Sequence, residues 1–252
     1  MNQERFISTR SSLNQRPRIF IGTMYSGEGD FFESIRSVKE QVDVNITYHI
    51  ISHLAEKDAH NALWTAWCKV RSEHDLFVKI DADTILRDSH TLKTIYEIMY
   101  STPDVTGIQC PLYDYFSDDL INGLNCFSPE VKFRSTDDPL YCDRVDYDHK
   151  IVLRQGSLPA ELSPAGYHCT LATELQAFHY GLHRMLKNQK TLLARVRSAW
   201  IGGNKDRTRG MALLGANHAS QFAAGSFNYT DVSLMNAFNN AVSMYDQMIA
   251  VI

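Results

Sequence analysis

The sequence is poor in several features, and each lack removes a class of function. No stretch of the 252 residues is apolar for long enough to cross a bilayer. No C-x-x-C pair occurs, and the five cysteines (Cys68, Cys110, Cys126, Cys142 and Cys169) form an odd, scattered set. That pattern reads as free thiols in a reducing compartment rather than as a disulfide framework. There is no long basic run and the net charge is only -4, so the electrostatic footprint of nucleic-acid binding is missing. The opening MNQERFISTRSSLNQRP has no apolar centre of the kind a secretory signal needs. These lacks give the expectation of a cytoplasmic protein that binds no nucleic acid, with peripheral contact to a membrane surface left open.

What is present is periodicity. After a polar leader (1–17), RIFIGT (18–23) is a short β-rich run that stops at the loop-like MYSGEGD. Asp30, with Glu33 three residues on, predicts a capped helix with Phe31, Phe32, Ile35 and Val38 on one face. NITYHIIS (45–52) predicts a second strand. From Asp58 to Val70, Ala59, Ala62, Leu63, Ala66, Trp67 and Val70 form one helical stripe; Trp64 and Trp67 are read there as core packing. DLFVKI (75–80) predicts a third strand, apolar as a buried parallel strand is. Alternating strands and helices predict a mainly parallel sheet, with ligands off the carboxyl ends of its strands. The loops 23–28, 52–56 and 81–83 are expected to meet there.

A further capped helix follows Asp88, and DVTGIQC (104–110) predicts a fourth strand. Residues 111–163 break into short extended pieces, a length of irregular chain that usually carries functional loops. From Thr173 the chain reads as helices over 173–198, 206–221 and 231–251. The division expected is a leader, a catalytic domain over 18–172 and a helical C-terminal section over 173–252 packed on the same domain.

The stretch LFVKIDADTIL carries the chemistry. Asp81 and Asp83 stand one residue apart where an apolar strand ends, and bare carboxylates there need a cation, a proton or water. On an extended segment both project to one side. Both therefore address one hard divalent ion such as Mg²⁺ or Mn²⁺, which is often completed by substrate phosphates. Lys79 either neutralises these acids or lies on the other sheet face. The structural alternative is a simple turn cap after the strand.

This stretch resembles the D-x-D motif of nucleotide-sugar-dependent glycosyltransferases with the GT-A fold, most closely the family-2 group. IFIGTMYSGEGDFFESIRSVKEQ is similar to that family's opening strand, loop and helix, so the resemblance covers the first 110 residues in order. It implies an α/β, Rossmann-like, mainly parallel sheet flanked by helices, and sugar transfer from a nucleotide diphosphate sugar to an acceptor hydroxyl, by inversion. It also implies Mn²⁺ or Mg²⁺ and a glycan or lipid-linked acceptor, with a homodimer open. Thr23 and Tyr25 match positions that line the nucleotide pocket, and Glu28 matches the acid of that loop. The second strand ends in ISHLAEKD where many relatives have D-D-G-S, which leaves His53 or Glu56 in that place.

By the same resemblance, Asp81 sits near the ribose or the metal, Asp83 is the more direct metal ligand, and a late histidine completes the metal site. His168, after a Pro/Gly loop, is favoured over His179 and His183. The general base falls between these motifs; Asp143 is chosen from a group that includes Asp137, Asp138, Asp146 and Asp148. Arg184 and Lys187 offer a cationic face to diphosphate or to solvent, and Lys205, Arg207 and Arg209 a second such loop. A zinc reading of Cys142 and Cys169 with His149 and His168 lacks the short paired spacing of structural zinc sites.

Two other readings compete. IDADTIL also fits D-x-D-x-T of haloacid-dehalogenase-like phosphatases, with Asp81 as nucleophile and Asp83 as acid/base; against it, that motif normally follows a first strand. The third reading is a non-catalytic nucleotide- or glycan-binding module on the same fold.

Overall fold

A computed structural model of the chain describes residues 16–143, 151–223 and 229–250. Asp146, Asp148 and His149 lie outside the described residues, as does most of the leader. Among the described residues the strands are β1 (Arg18–Tyr25), β2 (Asn45–Ser52), β3 (Leu76–Lys79), β4 (Thr84–Leu86), β5 (Val105–Asp114), β6 (Asp119–Phe127), β7 (Ile151–Leu153) and β8 (Gly166–His168). The helices are α1 (Phe31–Lys39), α2 (Glu56–Val70), α3 (Thr91–Ser101), α4 (Glu174–Leu186), α5 (Lys190–Gly202), α6 (Arg207–His218) and α7 (Val232–Ala250).

The strands form one mixed sheet in the order β2-β1-β3-β6-β5-β8-β4, with β7 beside β5. Parallel pairings join β1 to β2 and β3, and β5 to β7 and β8; β6 runs antiparallel to both β3 and β5. Both faces of the central strands are covered, and their alternation shows how. Ile19, Ile21, Leu76 and Val78 meet Val38 of α1 and Leu92 and Ile95 of α3 in one cluster. Phe20 and Phe77 point the other way, onto Leu63, Trp64 and Trp67 of α2. The two tryptophans are 3% and 0% exposed, so they are core, as their helical spacing implies.

The helices after residue 173 build a third cluster around Phe178, Leu182, Met211 and Leu234, joined by Phe116 from the β5–β6 connection. Here α4 and α6 nearly touch. A Cβ on Gly181 would collide with the Ala212 carbonyl, and one on Gly215 with the Phe178 carbonyl. Among the described residues no helix is long and apolar enough to cross a membrane.

Local expectations fail in instructive places. Asp30 makes no capping bond to α1; its carboxylate instead accepts from Thr170 Oγ1 at 2.6 Å and from the Leu171 N–H at 2.8 Å. Phe32 is 77% exposed and leaves the predicted apolar face; the residues that α1 buries are Phe31, Ser34, Ser37 and Val38. The helix expected over 173–198 is two helices, interrupted where Asn188 adopts a left-handed φ of 54°, a conformation that asparagine tolerates. The three-residue strands β4 and β8 were not expected, and they build the site.

Candidate functional site

The carboxyl ends of β1 and β3, the chain after β2, and the first turn of α2 enclose a cleft of about 270 Å³. Met24, Ser26 and Glu28 come from the first loop, Leu54 and Glu56 from the second, and Asp81, Ala82 and Asp83 from the third. The three loops meet at one edge, as the strand-helix alternation implies. The opposite wall is α4, with His179, His183, Arg184 and Lys187.

The two acids of the D-x-D stretch part company. The chain beyond β3 is not extended: the Thr84 N–H donates to the Asp81 carbonyl at 2.9 Å, closing a turn. Asp81 is left with Lys79, whose ammonium donates to its carboxylate. Lys79 and Asp81 are two residues apart on a strand and its exit, so they share a side; the lysine neutralises this acid and does not lie on the other sheet face. Burial works against the charge on Asp81, but Lys79 outweighs it and holds the carboxyl below its usual range. Asp81 thus forms an ion pair with Lys79 and Asp83 stands as a separate carboxylate, both lining the cleft.

Asp83 turns toward β8. Backbone pairing fixes this: Thr84 of β4 sits opposite His168 of β8, the Cys169 N–H donates to the Asp83 carbonyl at 2.9 Å, and Asp114 of β5 is also in register with His168. Asp83 Oδ2 accepts from Cys169 Sγ at 3.2 Å and from Gln176 Nε2 at 3.2 Å. Its Oδ1 is buried without a hydrogen-bond partner and lies 3.6 Å from His168 Nε2. His168 Nδ1 meets Asp114 Oδ1 at 2.7 Å. Asp114 is fully buried, and its other oxygen accepts from the Ser117 N–H at 2.8 Å, Ser117 Oγ at 2.6 Å and Tyr180 OH at 3.1 Å.

The arrangement suits a cation. A carboxylate holding one imidazole nitrogen as a donor leaves the other as a lone pair aimed outward, the usual support of a metal-binding histidine. Here that nitrogen lies 3.6 Å from the orphaned Asp83 Oδ1 and 3.5 Å from Cys169 Sγ. Asp83, His168 and Cys169 present ligand atoms within 4.8 Å of one another. Burial disfavours the imidazolium of His168, yet Asp83 and Asp114 outweigh it and raise its pKa. Burial pushes the Cys169 thiol well up, which keeps it a donor to Asp83.

The remaining candidates are scattered. Burial pushes Glu28 in the cleft up to about 7, although the Ser26 and Gly27 N–H groups donate to it at 2.8 and 3.1 Å. Thr23 is fully buried on the far side of β1 and bonds Tyr48 OH at 3.1 Å, so it does not line the cleft. Tyr25 stacks on Phe31 with ring centroids 3.9 Å apart, and His53 is exposed beside it with a left-handed φ of 59°. Neither lines the cleft; Glu56 does. Asp143 is in the cleft with its Oδ1 3.4 Å from Lys187 Nζ; burial opposes its charge, but Lys187 and Lys79 lower its pKa. Asp137 and Asp138 do not line the cleft.

Arg184 and Lys187 do face the cleft, whereas the 205–209 loop does not. Asp206 accepts from the Arg209 N–H at the start of α6, Arg207 pairs with Glu174 and Asp246, and Arg209 donates to the Tyr115 and Phe116 carbonyls. Cys142 and Cys169 belong to different clusters, which separates the ligands of the zinc reading. Asp114, Gln176 and His60 were not legible as site residues. Cross-sheet register brings in Asp114 and helix packing Gln176, neither of which leaves a local sequence signal; His60 could have been found from its position one helical turn after Glu56.

No protein-family model matches the chain, and no curated protein matches it. Among solved structures, the mannosyltransferase PcManGT from Pyrobaculum calidifontis, in complex with GDP-Man and Mn²⁺, is 13% identical with a TM-score of 0.36, over 94% of this chain and 81% of that one. A glycosyltransferase involved in glycosylation of the major capsid of PBCV-1 is 16% identical with a TM-score of 0.31, over 44% of this chain and 60% of that one. Likenesses this distant assign no function by themselves.

Proposed function

We propose that the protein is a divalent-metal-dependent glycosyltransferase that moves a sugar from a nucleoside diphosphate to an acceptor hydroxyl. The observation that carries the reading is the orphaned Asp83 Oδ1 facing His168 Nε2 at 3.6 Å, in a cleft off the carboxyl ends of parallel strands. Asp83 and His168 would hold the ion. One imidazole in the set favours Mn²⁺ over Mg²⁺, which prefers an all-oxygen shell. When bound, the ion supplies positive charge where negative charge develops on the departing diphosphate.

The chain's own groups do the rest. Arg184 and Lys187 on α4 give the diphosphate further cationic partners inside a partly enclosed space, where charge is worth more than in water. Gln176 ties the metal end to the first loop, since its Nε2 donates to Asp83 and its Oε1 accepts from the Gly29 N–H at 3.2 Å. Direct displacement needs a group that takes the acceptor proton near neutral pH, and basicity matched to the working pH makes the better base. Asp143, held ionised by Lys187, is a weak base; Glu28, titrating at about 7, is matched. Both acids line the cleft, and we assign the proton to Glu28 on the first loop ahead of Asp143, with inversion by a single displacement as the stereochemistry proposed.

The test is a screen of nucleoside diphosphate sugars, GDP-mannose included, with Mn²⁺ and with chelator, read by nucleotide release. Mn²⁺-dependent release from one donor, lost in Asp83→Asn, is the expected result. Phosphate release from an aryl phosphate that Asp81→Asn abolishes would instead make the protein a phosphatase. Tight nucleotide binding with no donor turnover would make it a binding module.

A further inference from the structure

At the other end of the cleft a second set of ligating side chains has no part in sugar transfer as described. Glu56 and His60 are one turn apart on α2 and so share a face. Cys142, fully buried, joins them from the loop that follows β6, and the three present ligand atoms within 4.8 Å of one another. His183 of α4 brings its Nε2 to 3.6 Å from Glu56 Oε2.

Two of these nitrogens lack partners. His60 is 2% exposed; its Nδ1 lies 2.8 Å from the Glu56 carbonyl, which accepts only from N–H, so Nε2 carries the lone pair. That Nε2 and the Nε2 of His183 are both buried with no hydrogen bond. Buried polar atoms left bare cost stability. A neutral imidazole with one nitrogen held by a backbone carbonyl and the other free is the form in which histidine binds metals.

We infer that Glu56, His60 and Cys142 form the core of a second metal site, selective for Zn²⁺ and independent of the Asp83–His168 pair, with His183, now 3.6 Å from Glu56 Oε2, moving in as the fourth ligand. Two nitrogens, one sulfur and one carboxylate oxygen make a borderline-to-soft set, with one imidazole more than the Asp83, His168 and Cys169 set. Tetrahedral bonds of about 2.0–2.2 Å have edges of roughly 3.3–3.6 Å, and the Glu56–His183 separation of 3.6 Å already fits. The Cys142 thiol, which donates to Glu56, gives up its proton on binding. Carboxylate and thiolate then offset the ion's charge, and the nearby Lys79 and Lys187 are themselves paired with Asp81 and Asp143. Bound there, the ion fastens the Cys142–Asp143 segment to α2 and α4 and fixes that wall of the cleft.

The test is titration of the chelator-stripped full chain with Co²⁺, followed by displacement with Zn²⁺. A near-ultraviolet thiolate-to-cobalt band with tetrahedral visible bands is expected. It should be lost in Cys142→Ser, weakened more than ~10-fold in affinity in His60→Gln, and kept in Cys169→Ser and Asp83→Asn. Zn²⁺ should raise the unfolding temperature of wild type and Asp83→Asn by several degrees, and leave Cys142→Ser unmoved. Should Cys142→Ser not fold, the contrast between His60→Gln and Cys169→Ser decides. No thiolate band in the wild type, or a band that follows Cys169 instead of Cys142, overturns the inference. Because Asp83→Asn is expected to keep this site, loss of the sugar-transfer reading would leave the zinc result standing, and the reverse.

Discussion

His168 Nδ1 lies 2.7 Å from Asp114 Oδ1, an acid with no solvent exposure that β5 places in register with the histidine. The carboxylate sets which nitrogen of His168 carries the proton and so which one faces Asp83. In Asp114→Asn the amide keeps the shape and loses the charge, and Mn²⁺ affinity should fall about 10–100-fold with the fold retained. Manganese resonance titration measures it; unchanged affinity would detach Asp114 from the metal site.

Glu28 gives a pH-dependent contrast. Its folded-state pKa is raised from 4.5 to about 7, so the folded protein binds this proton more tightly than the unfolded chain does. The associated stability is fully present below pH 4.5 and is lost as pH rises through 7. Without metal, Glu28→Gln should match wild type near pH 4.5 and exceed it by about 1–2 kcal/mol at pH 8, after a discount for partial exposure. Urea unfolding at the two values checks the sign. Transfer by the same variant should drop about 10²–10⁴-fold while nucleotide binding persists, so stability and activity move in opposite directions.

Lys79 is 5% exposed and its charge is answered by Asp81. Lys79→Met strands the carboxylate and should cost about 1–2 kcal/mol, below the figure for a fully buried pair because Asp81 keeps 40% of its side-chain exposure. Adding Asp81→Asn should recover part of the loss. Additive losses in that double-mutant cycle would mean that the pair is not coupled.

The α4–α6 contact predicts a sharp difference between two glycines. Gly181→Ala drives a methyl into the Ala212 carbonyl and should cost about 1–3 kcal/mol or more. Gly202, at the end of α5, has open space around it, and Gly202→Ala should be neutral or stabilising by up to about 1 kcal/mol. Thermal unfolding of the two variants separates them.

The sequence shows the sheet better than it shows the site. Strands β1, β2 and β3 announce themselves as short β-rich, largely apolar runs and helix α2 by its helical stripe, with their neighbours close in the chain. The converging loops follow from that alternation. The three-residue strands β4 and β8 carry too little pattern to see, yet they carry Asp83 to His168 and His168 to Asp114. The pairing of Lys79 with Asp81 was half visible, since side chains two apart on a strand share a side, but the turn that swings Asp83 away was not. Asp30 shows the reverse error. It has the local form of a helix cap, but a tertiary partner at Thr170 and Leu171, 140 residues further on, takes its carboxylate.

The most direct measurement is calorimetric titration of the chain with GDP and UDP in the presence of Mn²⁺ and of chelator, for wild type and Asp83→Asn. Binding of at least one nucleotide that requires Mn²⁺ and disappears in Asp83→Asn is expected. Equal binding with chelator, or full Mn²⁺-dependent binding in Asp83→Asn, would contradict a cation held between Asp83 and His168.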